Sequence, residues 1–133
     1  MNAPRGAIQP GETYIPFKGG TQEQFDHDVT YYSAGGVMAM GKLIRAGQVL
    51  VQHRHAYEHL SILAYGTIIV ELDGESKTIT GPACLTIPAN KHHGVRALTD
   101  CLWYCIHAES ISNEIVSMDG PAAHAIAKRL KGE

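Results

Sequence analysis

Between residues 29 and 108 the chain is cut by turn chemistry into short runs of β-forming residues, and few folds satisfy that constraint. Runs at 29–33, 37–45, 49–55, 60–65, 67–72, 76–80, 83–87, 93–97 and 101–108 have the length of strands and are too short for packed helices. Gly35-Gly36, Ala46-Gly47-Gln48, Gly66, Asp73-Gly74, Gly81-Pro82, Pro88-Ala89-Asn90-Lys91 and Leu98-Thr99-Asp100 separate them. Asp73-Gly74 suits the positive backbone angles of a type I′ hairpin turn. Eight or nine strands spaced about 6 to 12 residues apart predict an all-β jelly-roll or small β-barrel.

The pattern changes near the end. Asp119 can cap a helix whose first turn holds Pro121, and Lys128, Arg129 and Lys131 favour its C-terminal dipole. This helix, in 116–133, is expected to pack outside a barrel spanning 29–115. Residues 1–28 carry Pro4, Pro10, Pro16 and Gly19-Gly20, so a packed helix or central strand is not expected there; the stretch is assigned to an N-terminal arm. At 133 residues the chain makes one domain with a sizeable core.

Net charge excludes some function classes. Eleven basic residues against 13 acidic ones give −2, so neither nucleic acid nor an anionic membrane is an expected partner. No stretch approaches the roughly 18 to 20 apolar residues of a membrane span, and the first residues lack the apolar run of a signal peptide. Cys84, Cys101 and Cys105 are odd in number and without CxxC spacing, which predicts free thiols, small buried apolar side chains and a cytoplasmic setting.

Eight histidines are the outlying feature. On a strand, side chains at i and i+2 leave one face about 7 Å apart. His53 and His55 therefore share a face, read as the inner one together with Val49 and Val51. His59 keeps their parity after Ala56-Tyr57-Glu58, and a fourth histidine, His92 or His93, comes from the turn after Pro88. Imidazoles on one face are costly core filler unless their nitrogens are satisfied, and a divalent metal satisfies several at once. Without a metal the same residues would line a polar pocket. His27, His107 and His124 are read as a loop, a wall and a helix-surface residue.

Gly47, five residues, His53, Arg54, His55, three residues, His59, six residues and Gly66 resemble the first cupin motif, G-x5-H-x-H-x(3 or 4)-E-x6-G. His59 stands where the family has glutamate. GPACLTIPANKHHGVRA resembles the second motif, G-x5-P-x-G-x2-H-x3-N, with one extra residue before Pro88, Asn90 for glycine and Ala97 for the last asparagine. The spacing from Pro88 and Asn90 selects His93 over His92. The resemblance covers roughly residues 37–108 and implies a double-stranded β-helix binding metal through His53, His55, His59 and His93, in a chain that is a homodimer. An alternative register, rescued by a bulge, makes Glu58 the third ligand in place of His59.

Neutral imidazoles suit Fe, Ni, Zn, Mn, Co or Cu rather than Ca²⁺ or Mg²⁺. Four of them leave the ion's charge uncompensated, which favours an anionic, oxygen-bearing small-molecule substrate. Tyr57 and Tyr65, both read as inward, and Glu58 are the candidates for moving protons, with Tyr57 and Glu58 preferred. Arg96 has the opposite parity to His93 and is expected to point outward. The expected function is a metal-dependent dioxygenase, isomerase or lyase, the alternative a non-catalytic module that binds a metal or small molecule.

Overall fold

The computed structural model describes residues 19–26, 28–52, 54–55, 57–72, 74–108, 115–117 and 121–132; in 24–26, 52, 54–55, 115–117 and 121–124 only the backbone is described. Twelve strands and one helix form among them: β1 (Thr21–Asp26), β2 (Val29–Ala34), β3 (Val37–Ile44), β4 (Val49–Gln52), β5 (Arg54–His55), β6 (His59–Tyr65), β7 (Thr67–Leu72), β8 (Glu75–Thr80), β9 (Ala83–Ile87), β10 (His93–Ala97), β11 (Cys101–Ala108), β12 (Ile115–Ser117) and α1 (Pro121–Lys131). Eight of the expected runs are present with boundaries moved by at most a residue, and the ninth, 49–55, falls on β4 and β5. The two further strands are β1, within the stretch assigned to the arm, and the short β12. Tyr14, Ile15 and Phe17, in the stretch assigned to the arm, and His27 and Asp119 lie outside the described residues.

Two antiparallel sheets face each other. One runs β1-β2-β3-β11-β6-β9 and the other β4-β10-β7-β8, while β12 pairs with β5. This is the jelly-roll arrangement that the strand spacing and turn chemistry call for. Between the sheets lies one core, with Ile44, Leu63, Cys101, Trp103 and Cys105 from the larger sheet and Ile68, Val70, Val95 and Ala97 from the smaller. The alternation in β7 and β10 is that of strands with a single core face: Ile68, Val70, Val95 and Ala97 point in, and Glu71, Gly94 and Arg96 point out.

α1 covers that outer face. Ile126 and Leu130, one helical turn apart, are buried and lie over Gly94, where an added Cβ would stand 2.7 Å from Ile126 Cγ2 and 2.8 Å from Leu130 Cδ1. Arg129 donates two hydrogen bonds to the buried Glu71 carboxylate, at 2.7 and 2.8 Å, and Arg96 donates to the Leu130 carbonyl at 3.3 Å. The helix packs outside the barrel and Arg96 points outward, both as expected.

Four expectations are corrected. Val49 and Val51 pair with Arg96 and Gly94, so they share the face that looks toward α1, and Leu50, opposite Val95, packs against the core instead. A strand covered on both sides has apolar residues on both faces, and alternation alone does not tell which is inner. Tyr65 is not on the inner face: a register shift in the β6–β11 ladder pairs Leu63 with Trp103 but Tyr65 with Leu102, one step out of phase. The run 60–65, apolar nearly throughout and so expected to be covered on both faces, is not covered throughout, since Leu60 is 44% exposed. Cys84 is exposed, on the outer side of β9 opposite Ile62, whereas Cys101 and Cys105 are buried; all three are free thiols.

One end of the barrel is tied shut. The Asp100 carboxylate accepts a hydrogen bond from the Ala46 amide at 2.8 Å, which holds its pKa below the ordinary carboxylate range. The Gly47 amide donates to the Ala97 carbonyl at 2.8 Å, and the Ala97 amide to the Gln48 carbonyl at 3.0 Å. Gly66 turns here with φ +96°, where a Cβ would strike the Asp100 carbonyl and Cys101. No helix among the described residues is long and apolar enough to cross a membrane.

Candidate functional site

Histidines gather at the opposite end. The registers set His59, the first residue of β6, beside Ile87, the last of β9, and His93, the first of β10, beside Leu72, the last of β7. His107, near the end of β11, pairs with Met38 near the start of β3. Because antiparallel partners share a face, these pairings bring the three histidines to one mouth of the barrel. β6 alternates strictly as far as Leu63, which turns His59 and Ser61 inward.

The rings form a connected row. His59 and His93 have centroids 5.8 Å apart, His59 and His107 6.4 Å apart edge to face, and Tyr57 and His107 6.1 Å apart. His93 lies 6.4 Å from the Trp103 ring. His59 and His93 are 7% and 1% exposed, Trp103 is fully buried, and Tyr57 and His107 are half-buried. The Nδ1 atoms of His59, His93 and His107 and the Tyr57 hydroxyl are sealed from solvent.

Of the four residues expected to hold a metal, His59 and His93 therefore meet. His53 lies outside the described residues; the His55 backbone sits in β5 opposite Ile115, and its side chain is outside the description. Glu58, immediately before β6, is exposed. Among the described residues no three His, Cys, Asp or Glu side chains are grouped as a metal-holding set. The donor chemistry fits a borderline transition ion: two imidazoles that each give one nitrogen to an ion about 2.1 Å away have ring centres roughly 5 to 6 Å apart.

His107 is the residue whose place the sequence understated. Its parity with Trp103 and Cys105 was visible, but its distance from His59 depends on the pairing of β11 with β6, which no local pattern encodes. Around the cluster, Ser61 and Cys105 share a hydrogen bond of 3.6 Å between the hydroxyl and the thiol, closing the layer beneath His59.

The fold has close counterparts among solved structures. The cupin 2 domain-containing protein from Halorhodospira halophila is 20% identical at a TM-score of 0.58, over 75% of this chain and 74% of that one. The RmlC-like cupin from Shewanella frigidimarina is 19% identical at 0.57, over 80% of this chain and 97% of that one. This is a cupin fold. Salicylate 1,2-dioxygenase from Pseudoaminobacter salicylatoxidans shares it at 13% identity and a TM-score of 0.51, over 56% of this chain and 20% of that one. No protein-family model and no curated protein matches the sequence.

In this fold the motif residues take up distinct tasks. Gly47 and Gly66 both have positive φ, and Asn90, standing where the second motif has glycine, has φ +61°. Asparagine is one of the few side chains that enter this region readily, so the substitution preserves the turn that delivers His93.

Proposed function

We propose that this cupin holds a divalent transition metal at the mouth of the barrel and uses it on a small, oxygen-bearing anionic substrate, as a dioxygenase, isomerase or lyase. His59 and His93 are the described ligands in this reading, with His53 and His55 completing the set. The observation that carries it is the 5.8 Å approach of His59 to His93, which brings together the two stretches that resemble the cupin motifs. Salicylate 1,2-dioxygenase shows that the fold can host oxygen chemistry.

A bound ion of this kind would polarise a substrate oxygen as a Lewis acid or, as Fe(II), support reaction with dioxygen. The chain's own residues supply the rest. His59 and His93 sit beside the buried Ile87 and Trp103, an apolar surround that excludes water and strengthens their hold on charge. Tyr57 can donate its hydroxyl proton to a substrate oxygen, and the His107 ring, 6.1 Å away, borders the same mouth. Glu58 at the exposed rim can serve as a general base. Free thiols fit a reducing, cytoplasmic setting, and the chain is proposed to act as a homodimer.

The near-complete burial of His59 and His93 favours a second reading, a module that stores or senses a metal and turns nothing over. Elemental analysis of the purified protein beside His59→Ala and Glu58→Ala tests the first reading. About one transition ion per chain, lost with His59→Ala and kept with Glu58→Ala, supports it. No ion after reconstitution with Fe, Mn, Co, Ni, Cu or Zn salts refutes it. Exchange of the bound ion's ligands by small chelating acids separates the enzyme from the storage module.

A further inference from the structure

We infer that the substrate is a small acid with an apolar body, its oxygen-bearing head toward His59 and His93 and its hydrocarbon against Met38 and Leu72. This deepens, and rests on, the metal-binding reading of the same site.

The deep side of the cluster is sealed. Ile87 and His93 are each 1% exposed, and Trp103 is fully buried. Among the described residues, half-buried side chains that keep accessible surface beside the histidines include Met38 beside His107, Leu72 beside His93, and Tyr57 and His107 themselves. A molecule approaching the imidazoles over the ends of β3 and β7 would lie along these groups. Two of them are purely apolar, and the thioether of Met38 adapts to either a flat or a branched body.

Two charged side chains of β7 and β10 are engaged on the outer face of the smaller sheet. Glu71, next to Leu72, is turned to the outer face and holds Arg129, and Arg96 on β10 donates to α1. Neither of them reaches the mouth, where imidazole and the ion would take the acid head. A polyhydroxylated body would bring hydroxyls against Met38 and Leu72, where they would lose water and gain no hydrogen bond. A hydrocarbon body gains from the same burial.

The test uses α-hydroxy acids that share one head and one charge. Binding of mandelate and 2-hydroxyisocaproate to the Ni²⁺-loaded protein is measured by calorimetry beside glycerate and gluconate. The expected result is at least about tenfold tighter binding of the two apolar-bodied acids. Met38→Gln and Leu72→Asn, close in size to the residues they replace, should each shrink that preference, and either one suffices if the other fails to fold. Glycerate or gluconate binding as tightly as mandelate, or an undiminished preference in both variants, overturns the substrate class while leaving the metal site intact. Failure of the wild type to take up Ni²⁺ or any other ion removes the site reading itself, and the substrate class with it.

Discussion

Asn90 at φ +61° and Gly66 at φ +96° are single residues that the fold cannot exchange freely. At Gly66 the backbone angle is foreign to side chains, and a Cβ would also stand 2.5 Å from the Asp100 carbonyl. Gly66→Ala should therefore cost about 2 kcal/mol or more, read from the urea midpoint. Asn90→Gly should be nearly neutral, and Asn90→Val should cost about 1 to 3 kcal/mol. Much at this scale was legible in the sequence: His59 and His93 were singled out from spacing and motif, and they meet in the structure. Tyr65 was placed wrongly because one register shift reverses parity and leaves no mark in composition. His107 was undervalued because its neighbours are set by pairing between strands far apart in sequence.

Among the elements, α1 depends on a flat place in the smaller sheet. Gly94→Val would push a branched side chain into Ile126 and Leu130 and should destabilise by about 1 to 3 kcal/mol through overpacking, with the urea midpoint as the readout. Arg129→Ala should lower the same midpoint, because it leaves the buried Glu71 carboxylate without its bidentate partner. Replacing both, as Glu71→Leu with Arg129→Met, should recover most of that loss. Hairpins were the most legible elements: β7 and β8 pair with Leu72 opposite Glu75, and Gly74 has φ +81°, as a tight turn between them requires. The inner face of β4 was not legible. Val49, Leu50 and Val51 are all apolar, and Val49 and Val51 face a helix that comes from far along the chain and docks over Gly94, so the local pattern does not tell which of them faces the core.

For the whole molecule, stability should fall toward both extremes of pH, for separate reasons. Burial, followed by the charge of Asp100, pushes the Cys101 thiol up to about 11, and burial, followed by Tyr32 and Tyr65, pushes the Tyr104 phenol up to about 12. Both groups hold their protons more tightly folded than unfolded. Their contribution is complete below the unfolded values, about 8.5 and 10, and is lost as pH rises through the folded ones. Cys101→Ala should flatten the decline between about pH 9 and 11. Asp100 is the reverse case, its pKa lowered by the Ala46 amide. Its contribution is present above the ordinary carboxylate value of about 3.9 and disappears as pH falls through the lowered one. Asp100→Ala should thus destabilise at pH 7 and match the wild type in strong acid, by thermal melts across pH.

The central claim is that His59 and His93 are two donors to one ion, and the chain carries its own reporter. Trp103, the single tryptophan, lies 6.4 Å from His93. The direct measurement is its fluorescence as Cu²⁺ or Ni²⁺ is added to chelator-stripped protein, beside His59→Ala and His93→Ala. The expected result is quenching that saturates near one equivalent in the wild type and weakens at least tenfold in metal affinity in each variant. Fluorescence that does not respond to the ions, or that is quenched alike in all three proteins, would contradict the account.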